Sequence, residues 1–328
     1  MRITNNMLSQ NLLGNLETSQ NQMYDLQNQL SSGLKLTKPS DDPVGAGQAI
    51  NYNSNIASVA QWQNNCTQAL SFMQTTDSTM GDITSMVQQI RTLTVQAADD
   101  VNQGDPRLDI KAETDQITQQ LQTLANTQIG NKYIFGGTNT TTEPLSASGA
   151  DWAGNDEPIN FNVGNNVTIN ISVDGNQLFE QAPNTTNADG TPTKGLFATL
   201  SDLSNALAGN DSDGVPFVAD DPDTTDSPLT ANQKITNAIG AALSNIDGNL
   251  DNISAMRSDL GARENRVTAI SSQLDTTSTN LTQSLSNVQD ADMAKTIMNF
   301  QNQQNVFNAA LASGSQIIQQ SLVNFMKS

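Results

Sequence analysis

Apolar residues recur at alternating intervals of three and four in four long stretches of the chain. This heptad spacing is typical of α-helices that pack along a narrow apolar seam, the line of residues where two helices meet. The first stretch covers residues 12–30 and the last covers 293–325, with two longer stretches at 59–101 and 235–288. The pattern predicts a mainly α protein in which the N- and C-terminal halves form long antiparallel, coiled-coil-like helical rods.

Between residues 136 and 230 the pattern changes to short alternating runs rich in Gly, Pro, Thr and Asp. A β-hairpin is predicted around Gly164-Asn165-Asn166, and a short helix over 195–208. The apolar residues that alternate along the hairpin are Ile159, Phe161, Val163, Val167, Ile169 and Ile171. Residues 143–230 hold 14 of the 33 acidic residues and a single basic one, Lys194. We therefore expect a solvent-facing, acidic β-rich insert at the far end of the rods.

Three domains are predicted from these patterns. Residues 1–42 and 290–328 form terminal coiled-coil segments, residues 43–135 and 231–289 form a helical rod domain, and residues 136–230 form the acidic outer domain. The terminal stripes carry Gln, Asn, Gly and Ser at several seam positions. Short helices are weak without packing partners, so we expect the terminal segments to be disordered in the monomer and to become ordered on assembly.

The segment SSGLKLTKPSDDPVGAGQAI (31–50) raises the question of whether Asp41 and Asp42 form a metal site. A hard cation needs several oxygen ligands at suitable spacing, and the calcium-loop spacing is absent here. A joint between helices is the better interpretation: Gly33 ends one helix, Asp42 caps the next, and Pro43 occupies its first turn.

Composition narrows the possible functions. The chain has no histidine, which removes the usual general base and the commonest metal ligand, so neither an enzyme nor a cofactor or metal site is expected. A net charge of −19 disfavours nucleic acid and anionic membranes as partners. No apolar run is long enough for a membrane span, and the N-terminus lacks the apolar core of a cleaved signal peptide. The lone Cys66 falls on the seam of the second stretch and is expected to be a buried small hydrophobe.

The two ends of the chain resemble the bacterial flagellin family. The resemblance rests on LSSGLKLTKPSDDPVGAGQAI (30–50) and on DMAKTIMNFQNQQNVFNAALASGSQIIQQSLVNFM (292–326). The opening MRIT (1–4), Pro43 after the aspartate pair and KYIFGGTNTTTEP (132–144) are most similar to the hook-associated class of that family, the subunits at the junction of hook and filament.

The resemblance implies an extracellular, non-enzymatic flagellar subunit, exported by the flagellar type III system. Its implied partners are the first hook-associated protein, flagellin, neighbouring copies in a ring and a small export chaperone. The assembly interface would consist of Leu12, Leu16, Met23, Leu26, Leu30, Ile297, Phe300, Phe307, Leu311, Ile318 and Phe325. The chaperone would bind the apolar stripe of the last helix, exposed before assembly, through Ile297, Phe300, Phe307, Leu311 and Ile318.

Three alternatives remain open. Filament flagellin itself belongs to the same structural class. A second alternative, from a different functional class, is a hydrolase that uses the carboxylates of Asp41 and Asp42. A free-standing coiled-coil adhesin or signalling rod would need an anchor, and none is visible in the sequence.

Overall fold

A computed structural model describes the backbone of residues 5–99, 105–146, 152–180, 194–217 and 230–326. In the two terminal helices it describes the side chains of residue 7, residues 10–32 and residues 293–315. The described helices are α1 (Asn5–Ser32), α2 (Pro43–Ala98), α3 (Asp105–Ala125), α4 (Gly175–Phe179), α5 (Leu196–Leu207), α6 (Ala231–Gln289) and α7 (Met293–Met326).

Two small antiparallel hairpins complete the described elements. The first pairs β1 (Gln128–Ile129) with β2 (Lys132–Tyr133), and the second pairs β3 (Asn160–Gly164) with β4 (Val167–Asn170). In the second hairpin Phe161 lies opposite Ile169, and Asn166 in the turn adopts a φ of 58°. The mainly helical fold with a β insert is thus confirmed, including this hairpin and the short helix predicted over 195–208, which is α5.

The chain divides into two compact units: Met1–Gln61 with Asp275–Ser328, and Trp62–Leu274. In the second unit the predicted seams form the core. The seam residues of α2 are buried from Cys66 to Ala97, and those of α6 are buried at most positions from Ile239 to Leu274. Cys66 is fully buried, and burial raises the pKa of its thiol. Val101, the last residue of the predicted α2 seam, lies outside the described residues.

Polar bonds connect α2 and α6 across the second unit. Arg257 donates to both carboxylate oxygens of Asp77, at 2.9 and 3.1 Å, and Arg91 pairs with Asp247. These side chains are partly exposed, so each pair contributes little stability by itself. Both pairs connect α2 to α6 beside the apolar seam.

The β insert is attached to the same helices by side-chain hydrogen bonds to its backbone. Asn65 of α2 donates to the carbonyl of Asn162 at 2.7 Å. From α6, Asn252 donates to the carbonyl of Gln177 at 3.0 Å, and Arg263 donates to that of Ser172 at 3.1 Å. Two-stranded sheets are marginal alone, and these bonds supply part of the support that the hairpin needs.

Candidate assembly interface

The paired terminal helices α1 and α7 are the candidate functional surface. Their contacts run in opposite directions along the chain: Leu12 approaches Gly314, Ser19 bonds to Gln303, and Leu34 forms a bridge with Asp290. The helices are therefore antiparallel. On α1 the seam follows a strict alternation of four and three, and its members are Leu12, Leu16, Ser19, Met23, Leu26 and Leu30.

The opposing seam of α7 contains fewer large apolar residues than that of α1. Its members share the same spacing and are the buried or half-buried residues Thr296, Phe300, Gln303, Phe307, Ala310 and Gly314. At Gly314 the backbone of α7 comes so close to α1 that an added Cβ would lie 2.6 Å from Leu12 Cδ2. Phe300 and Phe307 are thus the large apolar side chains that α7 contributes to this seam within the described residues.

A polar layer interrupts the seam near its middle. Gln303 Nε2 donates to Ser19 Oγ at 2.9 Å and to Gln22 Oε1 at 3.0 Å, with a longer contact of 3.4 Å to the Ser19 carbonyl. The amide nitrogen of Gln303 therefore has its hydrogen-bond partners on α1. Polar residues at seam positions favour one arrangement of helices and lower stability relative to an apolar layer.

The sequence pattern placed the apolar residues of α7 in a single stripe, and the structure separates them into two groups. Phe300 and Phe307 lie on the seam, half-buried against α1, whereas Ile297 and Leu311 lie beside it, 44% and 47% exposed. Ile297 and Leu311 each follow a seam residue directly, at a position that is usually polar in a two-helix coiled coil. This outer stripe, Ile297 and Leu311, is available to a further partner. The side chains of Ile318 and Phe325 lie outside the described residues.

Helix α1 also carries exposed apolar residues that the sequence pattern did not identify. Met7, Leu13 and Tyr24 lie off the seam and are more than half exposed. They do not continue the three-and-four spacing of the seam, so no periodic signal marks them. Exposed apolar groups on both helices are consistent with an interface that is completed by other chains.

The joint between α1 and α2 is bonded directly to the joint between α6 and α7. Gly33 has a φ of +74°, which suits glycine, and its N–H donates to Gln29 in the last turn of α1. The carbonyl of Gly33 accepts from the N–H of Ala291, and the N–H of Lys35 donates to the carbonyl of Gln289 at 2.7 Å. The two joints therefore hold α1 and α7 at one end of the pair.

Both aspartates of this joint use their carboxylates to bind the backbone. Asp41 Oδ2 accepts from the N–H of Lys38 at 3.0 Å and from the N–H and hydroxyl of Thr37 at 3.3 and 3.2 Å. These hydrogen bonds lower the pKa of Asp41, and the bond from the N–H of Lys38 has the largest effect. Asp42 Oδ1 accepts from the N–H of Val44 at 3.1 Å, immediately after Pro43 at the start of α2.

This arrangement explains the aspartate pair without a ligand. Asp42 caps α2, and Asp41 closes the turn before it. Across the described ranges, no three His, Cys, Asp or Glu side chains are grouped so that they could hold a metal ion. Within the same ranges, none of the helices has the length and apolar character that crossing a membrane requires.

Comparison with known proteins agrees with this architecture. The bacterial flagellin N-terminal helical region matches residues 3–140, and the bacterial flagellin C-terminal helical region matches residues 243–326. The two regions together cover more than half of the chain. They include all of α1, α2, α3 and α7 and most of α6.

Individual relatives match over almost the whole length. Flagellar hook-associated protein 3 of Escherichia coli (strain K12) is 27% identical over 316 residues, which cover 94% of this chain and 95% of that protein. Flagellin of Bacillus subtilis (strain 168) is 26% identical over 324 residues, which cover 98% of this chain and 97% of that protein.

Solved structures share the fold. The crystal structure of the flagellar junction protein FlgL from Legionella pneumophila matches with a TM-score of 0.55 and 17% identity, covering 73% of this chain and 100% of that one. At this identity the likeness concerns the fold alone. The two matched helical regions, which cover more than half of the chain, show that the chain belongs to the bacterial flagellin family.

Proposed function

We propose that the chain is a structural subunit of the bacterial flagellum that joins the hook to the flagellin filament. The observation that carries this proposal is the match over nearly the full length to flagellar hook-associated protein 3. The paired terminal helices fit this role, because their exposed apolar residues offer contact surface to neighbouring chains.

In this role the ends of the chain would complete their folding between neighbours. One side of the ring of copies would meet the first hook-associated protein, and the other side would meet flagellin. Ile297 and Leu311 on α7, with Leu13 on α1, are among the described apolar residues that remain exposed for such contacts. The seam residues of the terminal helices would hold each copy's own pair together.

A small export chaperone would protect α7 before assembly. We expect it to take the place of α1 and to bind Phe300 and Phe307, which are half-buried when α1 is packed and become exposed when it leaves. The outer stripe would extend the same surface. The chain would then leave the cell through the flagellar type III system.

Calorimetric titration of the chaperone would test this surface. Replacing Phe300 and Phe307 with Ala should weaken binding more than replacing Ile297 and Leu311 with Ser, since the aromatic pair buries more area. The exposed Gln301→Ala and Asn305→Ala exchanges provide a surface control. Unchanged affinity in the aromatic variant would exclude the seam as the binding surface.

Deletion of the gene would test the junction role. Cells without this protein should assemble hooks, fail to hold filaments and release flagellin monomers into the medium, and a plasmid copy should restore swimming. Intact filaments on the deletion strain would refute the proposal.

Filament flagellin is the second candidate, and the match to Bacillus subtilis flagellin over 98% of the chain favours it. A filament subunit would grow long polymers when purified protein is added to filament seeds. A junction subunit should add a limited layer and stop, so electron microscopy of seeded mixtures separates the two.

A further inference from the structure

A groove lies between α2, the first hairpin and the second hairpin. Its apolar lining includes Phe72 of α2, Ile129 of β1, Phe161 of β3, and Ile159 and Ile171 beside the second hairpin. Four of these five side chains are only half-buried, and Ile171 is buried. The volume of about 470 Å³ is sufficient for one or two side chains of another molecule.

The rim of the groove is neutral or basic. Lys132, at the start of β2, lies there with Gln68, Ser71, Thr138 and Thr140, and no acidic side chain is among the described residues that line the groove. Lys132 is exposed and forms no ion pair with any residue in the part of the chain that the structure describes. In a chain with 33 acidic and 14 basic residues, such a site favours an occupant that is apolar and acidic.

A turn that is held by its own hydrogen bonds has these properties in the same chain. In residues 211–216, Asp211 Oδ1 accepts from the N–H groups of Asp213 and Val215 at 3.0 and 2.8 Å, and the N–H of Asp211 donates to the carbonyl of Val215 at 2.7 Å. The turn presents Val215, which is 56% exposed, close in sequence to the exposed carboxylate of Asp213.

We propose that the turn 211–216 of one copy inserts Val215 into the groove of a neighbouring copy, where Asp213 lies beside Lys132. The turn is held by its own hydrogen bonds before contact, so little conformational entropy is lost on docking. Val215 would cover the exposed parts of Phe72 and Phe161, and the ion pair would set the orientation.

The turn and the groove consist of different residues, so each copy can offer its turn to one neighbour and its groove to another, and a contact repeated in this way generates rings or helical arrays. The inference therefore rests on the proposed function and names one contact between copies in the junction. It concerns the second unit, whereas the proposed function uses the terminal helices.

Cross-linking in assembled flagella would test the contact. Cells would express two tagged variants in a Cys66→Ala background, one with Thr138→Cys and the other with Val215→Cys, and sheared flagella would be treated with a short bifunctional maleimide. A dimer that carries both tags must join two copies and is the expected product. In the control, one variant carries Thr138→Cys and the other carries Asp109→Cys, at an exposed residue of α3. This pair should give no dimer with both tags.

Charge reversal provides the second arm. Lys132→Glu should lower the yield of this dimer by roughly two- to fivefold, the effect of a rim ion pair. Adding Asp213→Lys to the variant with Val215→Cys should restore the yield. Adding Asp109→Lys to that variant should not restore it. Circular dichroism and thermal unfolding would be measured for each variant, and only those that fold normally would be compared.

The outcomes separate the two proposals. No mixed dimer from flagella that assemble and swim normally would overturn the contact and leave the junction role intact. A dimer that is insensitive to charge reversal would overturn the pairing of Lys132 with Asp213. Filaments that remain attached in the deletion strain would refute the junction role whatever the cross-links show.

Discussion

Arg107 illustrates how a single charged residue can hold the end of a helix. It lies on α3 with 3% of its surface exposed, and its Nε donates to the carbonyl of Ala97 at 3.0 Å. Its Nη2 donates to Thr236 Oγ1 at 3.2 Å. Ala97 is in the last turn of α2, where carbonyls lack helical partners and carry partial negative charge. Arg107 thus joins α2, α3 and α6. Arginine is usually a surface residue, so the sequence did not reveal this role.

Replacing Arg107 with Met should keep the apolar stem and remove both hydrogen bonds. The Ala97 carbonyl would remain buried without its charged partner, so we expect the free energy of unfolding to fall by about 2–3 kcal/mol. Urea titration followed by circular dichroism would measure it. Arg266→Met, at an exposed site of α6, is the matched control and should change stability by less than about 0.5 kcal/mol. Equal losses in the two variants would contradict the capping role.

Glu264 is a residue whose charge opposes folding. On α6, its Oε1 is buried and has no hydrogen-bond partner among the described residues. Burial raises the pKa of Glu264, and the nearby negative charge of Asp77 raises it further. Asp77 itself is paired with Arg257.

The sign of the pH dependence follows from this shift. A carboxyl whose pKa is higher in the folded state favours folding when protonated, and that contribution is lost as the pH rises through the folded pKa. Glu264→Gln should therefore raise the melting temperature at pH 7, by up to about 3 °C for a gain below 1 kcal/mol. The gain should disappear below pH 4.5, the ordinary pKa of a glutamate side chain, because the carboxyl is then protonated in both the folded and the unfolded state. Thermal unfolding at pH 7 and at a pH below 4.5 would measure the difference in melting temperature, with the exposed Glu157→Gln exchange as the control. A pH-independent gain would point to packing instead of charge.

At the scale of elements, the long helices, the second hairpin and α5 were predictable from their apolar spacing, and the shortest elements were not. The α2 seam was visible from the sequence because Met73, Met80, Ile83 and Ile90 repeat at heptad spacing, and all four are buried. The five-residue α4 and the two-residue strands β1 and β2 are too short to show a period.

The seam of α7 was visible only in part, for a physical reason. Most of its positions are polar or small, namely Thr296, Gln303, Ala310 and Gly314, so the largest apolar residues do not mark the line that meets α1. Ile297 and Phe300 are three residues apart and are neighbours on the helix surface. Sequence patterning groups them, and only the packed structure separates the inner residue from the outer one.

The polar layer should keep the α1–α7 pair weak in the isolated chain. Gln303→Leu combined with Ser19→Ala would replace both partners of the partly buried hydrogen bond with apolar side chains and should stabilise the pair by about 1 kcal/mol. Amide exchange of residues 12–30 in the purified monomer should then slow by roughly fivefold. Gln301→Leu, exposed on the same helix, is the control and should leave the exchange rates unchanged. Similar slowing in both variants would mean that general hydrophobicity, and not the polar layer, sets the stability of the pair.

At the scale of the whole molecule, the two units differ in how well their helices are buried. The second unit encloses large apolar side chains completely, including Met73, Ile83 and Ile246. Along the α1–α7 seam the large apolar residues are only half-buried, and the buried members are Ser19, Thr296 and Gly314. Local stability follows the burial of apolar groups, so the terminal helices should open far more readily than the helices of the second unit.

This difference predicts two stages of order. Fixing the backbone of the terminal helices costs about 1–2 kcal/mol per residue, and their half-buried seam offsets less of this cost than the enclosed core does. Hydrogen exchange on the purified monomer should be fast at residues 5–30 and 295–325 and slow at residues 66–97 and 239–274. In assembled flagella both ends should become protected, because neighbouring copies would cover the outer stripe. Strong protection of both ends in the monomer would contradict this account, since assembly would then have no ordering left to complete.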